Sequence, residues 1–198
     1  IEVSGLDEIE NKLIIDQIKN LNLSNIFFIN KAEINNLINS NPLIEKYEIF
    51  KSYPSAIKIM IKKTNFLARI NHNKEIFVIG SNGKLIPNNS QASDLPYIFG
   101  KPEIQEFLKF KKIVDQSRFS FDEIDSLYFF PSKRWDIKLK NNILLKLSNN
   151  SNIASLDYIY EFLEDIFLAT RAVGTIIEIK LAVPEKIKGK TKVRMQRK

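Results

Sequence analysis

From Ile57 to Lys63 the chain reads Ile-Lys-Ile-Met-Ile-Lys-Lys, so that Ile57, Ile59 and Ile61 alternate with Lys58, Met60 and Lys62. A period of two marks a strand with one buried and one wet face. Tyr53-Pro54-Ser55 just before it is a turn signal, because Pro fixes φ and donates no hydrogen bond. The stretch, continued by Phe66-Leu67-Ala68-Arg69, is expected to be the last strand of a small N-terminal module and the bridge into the rest of the chain.

The residues upstream supply that module. Ile1 to Gly5 reads as a short strand ended by Gly. Asp7 is a candidate N-cap, and Leu13, Ile14, Ile18 and Leu21 make the apolar stripe of an amphipathic helix. Asn30-Lys31-Ala32-Glu33 resembles a capping box, Ile34, Leu37 and Ile38 carry a second helix to about Ser40, and Pro42 stops it. Glu45 to Phe50 is a strand that pairs with Ile57–Lys63. The order β-α-α-β-β implies a sheet with both helices on one face.

The second half is richer in strands. Glu75 to Ile79 is a strand, Gly80-Ser81-Asn82-Gly83 a tight turn, and Lys84-Leu85-Ile86 the return. Leu95 to Pro102 reads as an apolar loop, Glu103 to Gln116 as a helix and Ile124 to Phe130 as a strand. Trp135, Ile137 and Leu139 alternate with Asp136, Lys138 and Lys140, Asn141-Asn142 turns, and Ile143, Leu145 and Leu147 return: a hairpin. Leu156, Ile159, Tyr160, Leu163, Ile166 and Phe167 form an amphipathic stripe. Ile177, Ile179 and Leu181 alternate with Glu178 and Lys180 as a strand, and Lys190 to Met195 is expected to lie beside it as the edge. The domain boundary is expected near Asn65–Asn73, giving domains at 1–68 and 69–198.

Composition removes most catalytic chemistry. The 198 residues contain no Cys and one His, so thiolate nucleophiles, disulfides, cysteine-rich zinc sites and His–His metal pairs are ruled out. His72 lies in the polar stretch Asn71-His72-Asn73-Lys74 and reads as a turn residue. Glu8 and Glu10 suit the first turn of a helix, where acids complement the dipole. Asp122, Glu123 and Asp125 lack a basic or metal-ligating partner at a diagnostic spacing, and Ser132 and Lys133, being adjacent in an extended segment, point to opposite faces. Trp135, in phase with Ile137 and Leu139, is expected in the core rather than as a base-stacking surface. The net charge of +7 comes with scattered lysines, densest in Lys186, Lys188, Lys190, Lys192, Arg194, Arg197 and Lys198. Three readings of this run stay open: binding of phosphates or anionic lipid headgroups, a solvated tail, or an edge strand on which alternating Lys blunts unselective pairing and leaves the backbone open to one acidic partner strand. No run of about 20 apolar residues is present. Since the first residue is Ile1 and not Met, the chain is expected to be a fragment or a processed chain, from which a membrane anchor could have been cut.

These pieces resemble a family. Ile1-Glu2-Val3-Ser4-Gly5, Asn25-Ile26-Phe27, Asn41-Pro42-Leu43-Ile44, Tyr53 to Ile59 and Ala68 are similar to the POTRA module of the bacterial cell-division FtsQ family, called DivIB in Gram-positive bacteria. Gly80-Ser81-Asn82-Gly83, Leu95 to Gly100 and Lys133 to Leu139 resemble landmarks of its second domain, and Ile177-Glu178-Ile179-Lys180-Leu181 its Val-Asp-Leu-Arg-Tyr strand, with Lys180 in place of the usual Arg and Glu178 in place of Asp. The resemblance implies an α+β fold: an N-terminal POTRA (β-α-α-β-β) followed by a mixed β-rich domain with packed helices. It implies a non-enzymatic divisome scaffold without cofactor, anchored in the inner membrane with this part in the periplasm at the septum. Its partners would be FtsB with FtsL at the C-terminal edge and other divisome proteins at the POTRA module, with no nucleic acid. The implied partner-binding residues are Arg134, Ile177, Ile179, Lys180, Leu181, Lys190, Lys192, Val193, Arg194 and Met195. A POTRA-type chaperone module of an outer-membrane assembly or secretion protein is the alternative, and a basic nucleic-acid-binding domain a third reading.

Overall fold

The computed structural model describes residues 1–20, 31–52, 56–88, 92–147, 156–161, 163 and 178–180. The fold is α+β, and the chain divides into two units, Ile1–Phe66 with Ile79–Ile86, and Leu67–Val78 with Pro87–Lys198.

In the first unit the elements follow the order β1 (Glu2–Ser4), α1 (Glu8–Lys19), α2 (Lys31–Ser40), β2 (Ile44–Ser52) and β3 (Ala56–Lys63). The sheet order is β1-β3-β2, with β1 parallel and β2 antiparallel to β3. The alternation that marks β3 in the sequence is literal: Ile57, Ile59 and Ile61 are buried and Lys58, Met60 and Lys62 exposed. Ile14 and Ile18 of α1 and Ile34 and Ile38 of α2 complete a core built almost wholly of isoleucine with Val3. Such β-branched side chains suit the pleated face, and their burial supplies the main driving force. Leu13, read as part of the α1 stripe, is instead 57% exposed; the helix buries Ile14 and Ile18, with Ile15 packed against the same core. Asp7 is the N-cap residue of α1 but makes no side-chain cap; its carboxylate pairs with Lys63 at 2.9 Å. The calls on Leu21, Asn25–Phe27 and Asn30 fall outside the described residues.

Gly5 turns the chain from β1 into α1 with φ +112°, and a Cβ there would stand 1.7 Å from the Ile61 carbonyl oxygen. Only a residue without a side chain allows this approach.

The turn 80–84 belongs to this unit as well. Asn82 Nδ2 donates to the carbonyls of Pro42 and Ile44, at 2.9 Å each. Ser81 Oγ donates to Glu45 Oε2 at 2.5 Å and accepts from the Asn65 N–H at 3.0 Å. Lys84 Nζ donates to the carbonyls of Asn39 and Asn41 at the end of α2, where a cation complements the helix dipole.

An eight-stranded mixed sheet runs in the order β11-β10-β9-β8-β7-β4-β5-β6. Its strands are β4 (Phe66–His72), β5 (Glu75–Gly80), β6 (Leu85–Pro87), β7 (Tyr97–Phe99), β8 (Ile124–Phe129), β9 (Trp135–Leu139), β10 (Leu144–Lys146) and β11 (Glu178–Lys180). The region expected to hold the boundary is itself strand β4. The stretch read as an apolar loop contains β7, which pairs in parallel with both β4 and β8. Asn73 and Lys74 join β4 to β5 with φ of +53° and +70°, the signs a two-residue type I′ hairpin demands.

Helix α3 (Ile104–Gln116) starts with a capping box between Glu103 and Glu106 and covers one sheet face. Trp135 is 8% exposed, stacked on Phe110 at 4.7 Å between centroids and flanked by Phe107 and Phe129. It is a core aromatic, as its phase with Ile137 and Leu139 requires. Leu156, Ile159 and Leu163 are buried along a helical segment, and Tyr160 meets Phe119 edge-on at 5.4 Å.

Candidate partner-binding edge

Strand β11 stands at the end of the sheet order. It pairs with β10 in parallel, Leu144 opposite Glu178, Leu145 opposite Ile179 and Lys146 opposite Lys180. Strand β10 is the return arm of the hairpin from β9, with Lys146 opposite Asp136. Asn142, at φ +67°, makes that hairpin's tight turn. Asp136, Lys146 and Lys180 thus form one register row across three strands, and Leu145 and Ile179 belong to the neighbouring row.

Arg134 joins this row through Asp136. Its Nε lies 3.1 Å from Asp136 Oδ1 as an ion pair, and a terminal nitrogen donates to Oδ2 at 3.3 Å. The guanidinium sits 4.4 Å above the centre of the Phe130 ring, a cation–π arrangement that fixes its plane. Lys133, at φ +63°, tightens the turn before β9 and reaches Glu106 of α3 at 3.1 Å. That hydrogen bond holds the Glu106 carboxyl below the ordinary range.

Asp136 alternates with the buried Trp135 and Ile137, yet it is itself only 3% exposed. Burial pushes its carboxyl pKa up, against the opposing pull of Arg134 and Lys146. The available signal was Arg134 two positions earlier, which a strand places on the same face as Asp136. Of the implied binding residues, Arg134, Ile179 and Lys180 lie in the described structure. Ile177, Leu181, Lys190, Lys192, Val193, Arg194 and Met195 lie outside it.

The other candidates for chemistry occupy structural positions. Glu8 and Glu10 are in the first turn of α1, with Glu10 3.7 Å from Lys63. Asp125 pairs with Lys138 at 3.3 Å, and His72 is exposed at the end of β4, edge-on to Phe77. Among the described residues no three His, Asp or Glu side chains gather as metal ligands, and no helix is long and apolar enough to cross a membrane.

Residues 1–63 match the sequence model of the FtsQ-type POTRA domain, and residues 68–182 that of the C-terminal part of the cell-division protein FtsQ/DivIB. The cell-division protein DivIB of Clostridium botulinum (strain Loch Maree / Type A3) is 26% identical over 154 residues, covering 77% of this chain and 54% of that protein. DivIB of Bacillus subtilis (strain 168) is 26% identical over 144 residues, 71% of this chain and 54% of its own length. FtsQ of Rickettsia bellii (strain RML369-C) is 22% identical over 165 residues, 79% of this chain and 59% of its own. The chain therefore spans a little over half the length of these relatives. The solved extracytoplasmic domain of DivIB from Geobacillus stearothermophilus is similar with a TM-score of 0.40 at 10% identity, over 56% of this chain and 99% of that one. With both family models matched in order over most of its length, the chain belongs to the FtsQ/DivIB family of bacterial cell-division proteins.

Proposed function

We propose that this chain is the periplasmic part of a non-enzymatic divisome scaffold that binds the FtsB–FtsL complex by strand addition at its C-terminal sheet edge and so helps regulate septal wall synthesis. An inner-membrane anchor outside this sequence would hold it at the septum. The observation that carries the reading is the position of β11: it ends the eight-stranded sheet and has β10 as its single strand neighbour among the described residues. A sheet edge presents backbone donors and acceptors to an added strand, and side chains at alternate positions select which strand is accepted. Lys146 and Lys180 occupy neighbouring register positions in the row, and their charges suit an acidic partner; Arg134 is paired with Asp136 at the far end of that row. Ile177, Leu181 and Lys190 to Met195 extend this surface in the proposal, Lys190, Lys192 and Arg194 adding positive charge.

The test is calorimetric titration of the chain with a co-purified complex of the FtsB and FtsL periplasmic segments. Arg134→Glu and Lys180→Glu should weaken binding, and Val193→Pro should abolish it if that N–H faces outward, because Pro removes a donor. Circular dichroism serves as the folding control. Unchanged affinity in the folded variants removes the edge from the interface.

A further inference from the structure

Asn82-Gly83 is the only Asn–Gly pair in the 198 residues, and the turn that holds it needs both members. Gly83 stands at φ +75°, in the left-handed region that glycine enters without steric cost. Asn82 Nδ2 donates to the carbonyls of Pro42 and Ile44, and its Oδ1 accepts from the Lys84 N–H at 3.0 Å. An aspartate there would keep the acceptor and lose both donations. The same dipeptide is chemically labile. A glycine has no Cβ to hinder its backbone nitrogen from reaching the side-chain carbonyl carbon of the asparagine before it.

In the folded chain the groups that would react are held apart from that encounter. The Gly83 N–H donates to the Gly80 carbonyl at 2.9 Å. The Asn82 N–H donates to Oγ1 of the buried Thr64 at 3.2 Å, and that hydroxyl lies 3.1 Å from Ser81 Oγ. Lys84 Nζ donates to the Asn39 and Asn41 carbonyls. A Cβ on Gly80 would stand 2.7 Å from Asn82 Oδ1, so the amide is enclosed on that side too. Turning Asn82 Cγ toward the Gly83 nitrogen therefore requires the turn to let go of Pro42 and Ile44.

We propose that Asn82 is a site of spontaneous modification, kept as the amide by the fold and converted to aspartate or isoaspartate when the 80–84 turn opens. The Gly83 nitrogen gives up its proton and bonds to Asn82 Cγ. The Cγ–Nδ2 bond breaks, and ammonia leaves with that proton. Water, the only co-reactant, then opens the cyclic imide. Cleavage between Cγ and the nitrogen gives aspartate; cleavage between the nitrogen and the residue 82 carbonyl carbon gives isoaspartate. Either product weakens the closed turn. The Pro42 and Ile44 carbonyls lose their donor and face a carboxylate instead, one residue from the Ser81–Glu45 bond. Isoaspartate also adds a methylene to the backbone inside the turn that the Gly80 N–H closes on the Lys84 carbonyl. Openings are reversible with the amide in place; conversions accumulate.

The experiment incubates the 198-residue chain at pH 8, in native buffer and in urea, and follows the tryptic peptide Glu75–Lys84 by liquid chromatography and mass spectrometry. Asn82 is the single Asn of that peptide, so a gain in its mass reports this site, and its elution separates the aspartate and isoaspartate forms. Conversion should be at least about tenfold faster in urea, because the native rate is limited by the open fraction. Thr64→Val removes the acceptor of the Asn82 N–H. It should speed native conversion about twofold to tenfold and leave the rate in urea unchanged. Asn82→Asp should lower the urea midpoint of unfolding. Equal conversion of the parent in native buffer and in urea overturns the proposal, and that comparison needs no variant to fold. A folded Thr64→Val chain that converts no faster than the parent overturns it, as does an Asn82→Asp chain as stable as the parent.

Discussion

Arg134 and Asp136 form an ion pair of 3.1 Å in which the carboxylate is almost wholly withdrawn from water while the guanidinium keeps one side open over Phe130. The two residues sit one step apart on the same side of the chain entering β9. A buried acid thereby holds a half-exposed base at the entry to β9.

Replacing that acid should have a pH signature. Because burial raises the Asp136 pKa, the folded chain holds this proton more tightly than the unfolded chain. Its ionised form costs stability at neutral and higher pH, and the cost falls as pH drops through the folded pKa. The stability of the parent relative to Asp136→Asn should therefore rise as pH falls from 8 toward acid, on top of a pH-independent loss in the variant from the broken Arg134 pair. Urea denaturation across a pH series measures this, and a difference that moves in favour of Asp136→Asn on acidification would contradict the sign.

Trp135 joins α3 to the sheet through Phe110, Phe107 and Phe129. Trp135→Ala should cost roughly 3–5 kcal/mol from lost transfer energy and the cavity left behind. Thermal unfolding followed by near-UV circular dichroism checks it.

Lys74 occupies a left-handed conformation, φ +70°, with no structural need for its side chain. That conformation costs an L-residue about 1–2 kcal/mol, part of which glycine's greater unfolded freedom takes back. Lys74→Gly should stabilise the protein by roughly 0.5–1 kcal/mol in chemical denaturation.

Ser81 lowers the Glu45 pKa chiefly by donating a hydrogen bond to it, with Lys62 adding to the effect. Ser81→Ala should raise that pKa toward the ordinary carboxylate value, visible in an NMR titration of the Glu45 carboxyl. It also leaves the Asn65 N–H without its side-chain acceptor, and the combined loss is about 1–2 kcal/mol at neutral pH. A depressed carboxylate stabilises above its unfolded pKa and ceases to as pH falls through the folded one, so the gap should narrow in acid.

The elements legible in the sequence were those whose pattern is complete within one stretch. The isoleucine alternation of β3, the Pro42 stop after α2 and the Trp135–Leu147 hairpin each declare themselves locally. What was missed depends on remote partners. Tyr97–Phe99 is three residues between Pro96 and Gly100, and it is a strand because β4 and β8 flank it. Ser81 and Asn82 look like any turn, yet they reach Glu45, Pro42 and Ile44. At the candidate edge, period two located β11, but alternation carries no direction, so its parallel pairing with β10 was unreadable. The burial of Asp136 was not readable either, because alternation cannot tell a wet face from one closed by an arginine.

The parallel seating of β11 has a consequence for the order in which the molecule is made. Hairpins close within a few residues, but β11 reaches β10 only after the whole excursion from Lys146 to Glu178 has been completed. Such a distant pairing bears a greater loop-closure entropy than the hairpins and forms after them. Until then the growing sheet ends at β10, whose Leu144 and Lys146 present a different face to any passing strand. A chain that has not yet reached Glu178 therefore does not display a weakened copy of the β11 edge; it displays another edge, and recognition of β11 would double as a check that the second unit has been made and packed as far as Lys180.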